Sequence, residues 1–282
     1  MSFYKIKSHA KINVSLRVLG KLKSKLHKIE SLFFFLNLND DIFIKKIKKK
    51  NHKILFNGKF SKGISKNNTI LKLLKLLEKN KKLSGQKYFI KINKKIPQKS
   101  GMGGGSMNAS SLLNFLIKNE KLKLNNNEIF KISSKIGADV LLGLQKKHSI
   151  FYGNGKLKSV NQTMNYYTLL VKPNFGCSTK TIYKKVKHFS KPDFKINERI
   201  SLNRNFLSNL TNDLEDPAFK QYPVLKKLKI FMKKLDNILF VRMTGSGSTM
   251  VGYFLSKKAA LNARKILNEK YKNYWCILSK TI

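Results

Sequence analysis

The residues best suited to do chemistry lie in one stretch. From Pro97 the chain reads Pro-Gln-Lys-Ser-Gly-Met-Gly-Gly-Gly-Ser-Met-Asn-Ala, ending at Ala109. Gly101, Gly103, Gly104 and Gly105 carry no side chains, so backbone N–H groups can crowd around a ligand. A strand-like run, residues 88–92, precedes the stretch, and an apolar helical run, residues 109–117, follows it. A helix start presents unpaired donors and partial positive charge. Strand, glycine loop and helix start together make a cradle for phosphate, as a nucleoside triphosphate site requires. The common P-loop is excluded, because Gly105 is followed by Ser106-Met107 and not by Lys and a hydroxyl residue. The dinucleotide fingerprint is excluded too, since Ser106 stands where its third glycine would be.

The flanking elements must hold this loop in place. Residues 12–19 alternate apolar and polar and predict a half-buried strand. A basic loop follows at 21–25, then buried β over 29–38 and a strand over 41–47. Leucines at helical spacing predict a helix over 69–83, capped by Asn67 or Asn68. A second helix is expected over 128–136, capped by Asn126 or Asn127, and a short strand over 149–152. Gly153-Asn154-Gly155 and the polar stretch to Met164 mark a boundary between domains 1–158 and 159–282. Beyond it come a strand at 167–172, a helix from Ser178-Thr179 to Val186 and a loop at 188–197. Helices at 202–210 and 224–235 follow. A strand at 238–243, a glycine turn at 244–248 and a strand at 249–255 come next. A helix at 257–270 and a strand at 273–278 complete the chain. Short connections and mixed elements predict an α+β class.

Composition narrows the function. The chain has 282 residues, 41% of them hydrophobic, enough for one large core or two modest ones. It contains no apolar run long enough to cross a membrane, and residues 1–10 lack an apolar signal segment, so a cytoplasmic protein is expected. Cys177 and Cys276 are far apart and match no metal spacing, so two reduced thiols are expected. His9, His52, His148 and His188 show no metal-ligand spacing either. The net charge of +45 suggests a nucleic-acid surface, but of 59 basic residues only five are arginine. Such surfaces generally rely on arginine for bidentate contacts. Lysine here is spread along the whole chain, so no specific nucleic-acid partner is expected.

Six segments, in order, resemble those of the GHMP kinases. They are Ala10-Lys11-Ile12-Asn13, the run from Leu26-His27 to Phe33, the glycine loop, Ile136-Gly137-Ala138-Asp139-Val140, Asn212-Asp213-Leu214-Glu215 and Thr244-Gly245-Ser246-Gly247-Ser248. Within the family the similarity is greatest to members that phosphorylate a cytidine-diphosphate-linked methylerythritol in isoprenoid precursor synthesis. The resemblance implies a two-domain fold, with an N-terminal ribosomal-protein-S5-like domain, a C-terminal ferredoxin-like α/β sandwich and the active site in the cleft between them. It implies transfer of the γ-phosphoryl of ATP to the substrate's 2-hydroxyl by a monomer or homodimer. A mevalonate-like substrate is the alternative within the family.

The resemblance also assigns roles. Asp139 is the general base, since a carboxylate can take or orient the proton of an attacking hydroxyl. Lys11 is its cationic partner, able to stabilise charge developing on the attacking oxygen. ATP lies along Pro97, Gly101, Met102, Gly103, Gly104, Gly105 and Ser106, with Asn68 and Lys94 near adenine and Ser106 helping to place Mg²⁺. Asn13, Thr244, Gly245 and Ser246 meet the substrate. His27 hydrogen-bonds the cytosine edge, and Tyr183 stacks on the face opposite the one that position 26 covers in the family. Leu26 departs from the family, which commonly has a stacking Tyr there, and stacking on a base is worth roughly 1–3 kcal/mol. Met107 for Ser and Leu141 for Pro are milder departures.

Overall fold

A computed structural model describes residues 2–22, 27–137, 139–145, 147–160, 162, 165–195 and 201–282. Leu26, Ala138, and the ends of the expected loops at 21–25 and 188–197 lie outside the described residues. The chain divides into two compact units. The first comprises Met1–Lys11, Leu38–Gln98 and Gly103–Lys146, and the second Ile12–Asn37, Lys99–Met102 and Lys147–Ile282. The glycine loop therefore contributes Gly103 onward to one unit and Lys99–Met102 to the other.

In the first unit, β1 (Tyr4–Asn13) enters and β3 (His27–Ile47) completes its course. The expected strand at 12–19 is corrected here. β1 starts eight residues earlier than expected, and the chain bends before β2 (Arg17–Lys21). Apolar residues in β3 do not alternate, because Leu32, Phe33, Phe34 and Leu36 are all buried, as in a strand covered on both faces. Residues 41–47 of β3 pair antiparallel with β5 (Lys87–Asn93), and β5 pairs parallel with β4 (Lys53–Asn57). β4 escaped the sequence reading, being short and flanked by lysine. β5 alternates buried and half-buried positions, so one face meets the core.

Four helices cover that face. Helix α1 (Thr69–Lys79) is capped by the Asn68 side chain, which accepts the Leu71 N–H. It buries Ile70, Leu73, Leu74 and Leu77, the i, i+3, i+4, i+7 stripe of an amphipathic helix. Helix α2 (Gly104–Asn119) starts inside the glycine loop, five residues before the expected 109. Helix α3 (Asn126–Ile136) is capped by Asn125, not by Asn126 or Asn127. Asn125 accepts the Glu128 N–H while Glu128 returns the bond, a complete capping box. A five-residue helix, α4 (Val140–Leu144), was not anticipated.

The second unit holds the start of β3, where residues 31–33 pair with β6 (Ser149–Phe151) and β6 pairs with β7 (Leu157–Ser159). Its other sheet has the order β11-β8-β10-β9, all antiparallel, from β8 (Tyr167–Lys172), β9 (Phe240–Met243), β10 (Met250–Phe254) and β11 (Trp275–Lys280). Helices α8 (Pro223–Lys233) and α9 (Lys257–Lys270) pack on this sheet. Among the described residues the unit also has three short helices: α5 (Thr179–Lys184), α6 (Arg204–Asn209) and α7 (Glu215–Gln221), the last unexpected. Its core joins Val171, Leu225, Leu228, Val241 and Phe254 with Leu16, just before β2, and Val18 within it. Sheets and helices together form the expected α+β architecture.

Candidate active site

Lys11 sits on β1 and Asp139 begins α4. The Lys11 ammonium lies 3.2 Å from Asp139 Oδ2. Lys11 is only 3% exposed, whereas the Asp139 side chain is 32% exposed, so a ligand can reach the carboxylate but not displace the cation. Asp139 occupies the N-cap position of α4, yet its side chain makes no capping hydrogen bond. The residue turns the backbone as a cap would and leaves its carboxylate for Lys11.

The glycine loop closes on this pair. Gly103 has φ +66°, and a Cβ there would stand 3.1 Å from Lys11 Cε and 3.4 Å from Asp139 Oδ2. Glycine is required both by the left-handed backbone and by that approach. Gly103 is the N-cap of α2 and offers no side-chain cap, and the first helical bond runs from Met107 N–H to Gly103 C=O. The N–H groups of Gly104, Gly105 and Ser106 therefore precede the ladder at the positive end of a sixteen-residue helix. Thr69 holds the turn by donating to the Gly105 carbonyl at 2.7 Å. The Ser106 hydroxyl lies 3.2 Å from where a Cβ on Gly137 would stand, next to the approach to Asp139.

Lys94 lies just after β5, almost fully buried. It is 4% exposed and ion-paired with the fully buried Asp40, and its ammonium lies 3.4 Å from a Cβ position on Gly104. Asp40 also accepts the N–H groups of Lys95 (2.8 Å) and Ile96 (2.9 Å). One carboxylate thus fixes the strand end that leads into Pro97, which is buried. Sequence reasoning missed Asp40. The available signal was an Asp40-Asp41 pair inside an apolar strand of a chain with only 14 acidic residues. Asn68 is engaged in capping α1 and donates to the Ser65 and Lys66 carbonyls.

In the second unit the remaining candidates converge on the two glycine turns. Gly101 has φ +77°, and a Cβ on it would fall 2.0 Å from the Thr244 carbonyl oxygen. Thr244 donates to the Gly101 carbonyl at 3.1 Å and accepts the Asn13 N–H at 3.0 Å. The Asn13 side chain donates to Ser31 Oγ at 2.8 Å, and Ser31 donates to the Ser15 carbonyl. Gly245, at φ +55°, packs against Gly101 and Asn13. Ser246 shares a 2.9 Å hydrogen bond with Thr179 at the start of α5. Met102 is fully buried. Residues 244–248 form the turn of the β9–β10 hairpin, so the turn is both a tight hairpin and the neighbour of the first loop.

His27 and Tyr183 stand side by side, with ring centroids 4.9 Å apart and planes tilted by 38°. That is direct ring contact, so the two rings form one continuous aromatic wall. His27 Nε2 is buried and makes no hydrogen bond among the described residues. Burial, and then the charge of Lys21, lower the His27 pKa, which favours the neutral ring. Both cysteines are free, and burial raises each thiol to about 11, which leaves them unreactive.

The chain is similar to known proteins along its whole length. Residues 68–148 match the GHMP kinases N terminal domain, and residues 192–273 match the GHMP kinases C terminal domain. A 4-diphosphocytidyl-2-C-methyl-D-erythritol kinase of Pelagibacter ubique is 52% identical over 282 residues, covering 100% of both chains. One of Petrotoga mobilis is 34% identical, covering 87% of this chain and 96% of its own. A crystal structure of 4-(cytidine 5'-diphospho)-2C-methyl-D-erythritol kinase shares the fold with a TM-score of 0.78 at 23% identity, covering 99% of this chain and 100% of that one. With matches in both halves, a relative similar over its whole length and a shared fold, the chain belongs to the GHMP kinase family.

Proposed function

We propose that this protein transfers the γ-phosphoryl group of ATP to the 2-hydroxyl of 4-diphosphocytidyl-2-C-methyl-D-erythritol, a step of isoprenoid precursor synthesis. The observation that carries the mechanism is the Lys11–Asp139 pair, 3.2 Å apart, against the backbone of Gly103. Asp139 takes the proton of the hydroxyl as its oxygen bonds to the γ-phosphorus, and the bond from that phosphorus to the bridging oxygen breaks to release ADP. Lys11 stabilises the negative charge that grows on the attacking oxygen. N–H groups of Gly104 to Ser106 hold phosphate oxygens at the start of α2. Asn13, Thr244, Gly245 and Ser246 position the hydroxyl-bearing part, and His27 with Tyr183 receives the cytosine.

Mg²⁺ fits the donors present. The partly exposed carboxylate of Asp139 and the hydroxyl of Ser106 are hard oxygen donors beside the phosphate cradle. No group of three or more His, Cys, Asp or Glu among the described residues forms a closed metal site. This suits an ion held mainly by phosphates and water. When bound, it neutralises phosphate charge.

ADP release from purified protein with Mg-ATP, with and without the methylerythritol substrate, tests the reading. Substrate-dependent release, abolished in Asp139→Ala, is expected. Release that ignores the substrate would overturn it.

A further inference from the structure

The segment Asn212-Asp213-Leu214-Glu215 takes no part in the chemistry above, yet its polar side chains reach three separate structures. Asn212 donates from its one amide nitrogen to the carbonyls of Met243 (2.7 Å) and Gly245 (2.8 Å), fixing the turn that bears Thr244 to Ser246. Glu215 accepts the Met243 N–H at 2.7 Å and pairs with Lys229. Asp213 faces the other way. Its Oδ2 accepts the Val18 N–H at 2.7 Å and its Oδ1 accepts Arg17 Nη1 at 3.0 Å, so one carboxylate collars two successive residues at the root of β2.

That root carries the β2–β3 hairpin. Arg17 pairs in register with Glu30, and Lys21 with His27, so His27 stands at the far end of the arm. Four residues along β2 separate the collar from that end, about 13 Å of strand. Arg17 also approaches Asp193 at 3.4 Å, and the buried Glu30 accepts the N–H groups of Asp193 and Phe194. The backbone joins in as well: Leu16 N–H donates to Thr211 C=O and Asp213 N–H to Leu16 C=O. The aromatic wall and the glycine turn are thus tied to neighbouring residues of a single splint.

We infer that Asp213 is a positioning residue for the cytosine end of the site and Asn212 one for the turn that meets the reacting end. The inference rests on the proposed role of His27 and Tyr183 at cytosine. Loss of the collar frees the root of the hairpin, and a small rotation there becomes a large displacement of His27. Loss of the Asn212 amide frees the turn without touching the hairpin. Adjacent residues therefore carry opposite kinetic signatures, which general loss of structure would not produce.

The test is calorimetric titration with cytidine 5'-diphosphate alone, joined to steady-state kinetics with Mg-ATP and the full substrate. Asp213→Asn keeps an oxygen for the Val18 N–H and removes the nearer of the two carboxylate charges on Arg17, leaving Asp193 at 3.4 Å. It is expected to weaken cytidine diphosphate binding and raise the substrate KM about tenfold, with kcat and the KM for ATP within twofold. Asn212→Asp turns a donor into a carboxylate facing two carbonyls. It is expected to lower kcat at least tenfold with cytidine diphosphate affinity within twofold. Arg17→Gln breaks the collar from its other side and should reproduce the Asp213→Asn pattern, which covers the case of a variant that does not fold. Wild-type affinity in both Asp213→Asn and Arg17→Gln, or parallel losses in all parameters, would overturn the inference alone. A wild-type protein that binds no cytidine diphosphate would overturn the proposed substrate and the inference with it.

Discussion

At Asp139 the fold keeps a carboxylate available that a helix start would ordinarily consume. The side chain makes no cap hydrogen bond and instead lies 3.2 Å from a buried lysine. Asp139→Asn preserves shape and removes the base, so kcat should fall by roughly 10²–10⁴ while the KM for ATP changes little. Near-normal kcat in that variant would end the role given to Asp139. Gly101 is a second position where one atom matters. Its φ of +77° and a Cβ position 2.0 Å from the Thr244 carbonyl leave no room for alanine. Gly101→Ala must push the two glycine turns apart. Its kcat/KM for ATP should fall more than about tenfold, alongside a lower melting temperature. Unchanged kinetics would show that the turns need not touch.

At the level of elements, the phosphate cradle depends on how β5 hands over to the loop. Asp40 is fully buried, pairs with Lys94 and takes the N–H groups of Lys95 and Ile96. Asp40→Asn keeps an acceptor for the backbone and strands the Lys94 charge where water cannot screen it. Breaking a buried pair from one side costs about 3–5 kcal/mol. For a chain of this size that corresponds to a drop of about 10 °C in melting temperature. Because the ammonium stands beside Gly104, the KM for ATP should rise as well. A thermal melt and an ATP titration of the same preparation check both effects. Asp40→Asn together with Lys94→Met should recover stability, since the unpaired charge is gone.

For the molecule as a whole, two electrostatic features set its response to conditions. His148 is buried, stacked on Phe34, and accepts the Phe35 N–H through Nδ1 at 3.2 Å. Burial lowers its pKa to about 4, against roughly 6.5 in an unfolded chain. Below pH ~6.5 the unfolded chain gains a proton that the folded one refuses, so stability falls as pH drops from ~6.5 to ~4 and this contribution then levels off. The loss amounts to at most about 3 kcal/mol. Denaturant midpoints at several pH values should show a smaller acid loss in His148→Gln than in the wild type. An equal loss in both would place the acid sensitivity in other groups. The net charge of +45 acts over longer range. It should draw anionic substrates inward at low salt. Raising salt from about 50 to about 500 mM should therefore raise the KM for ATP severalfold at constant kcat.

Local information sufficed wherever a short-range rule governs the outcome. The glycine loop, the Asn68 cap, the leucine stripe of α1 and the bounds of α9 follow from neighbouring residues, and all are visible in the chain itself. The order of six motifs likewise placed the chain in its family, because chemistry restricts residue types at fixed spacings. What the sequence could not settle depends on partners far along the chain. Whether Asp139 caps a helix or meets Lys11, 128 positions away, is decided by packing. So are the burial of Lys94 on Asp40, the contact of His27 with Tyr183 and the grip of Asn212 and Asp213 on two different structures. In a chain with so many lysines, residue type says little about which cation matters. Only the fold selects the few whose desolvation and nearby carboxylates make them specific.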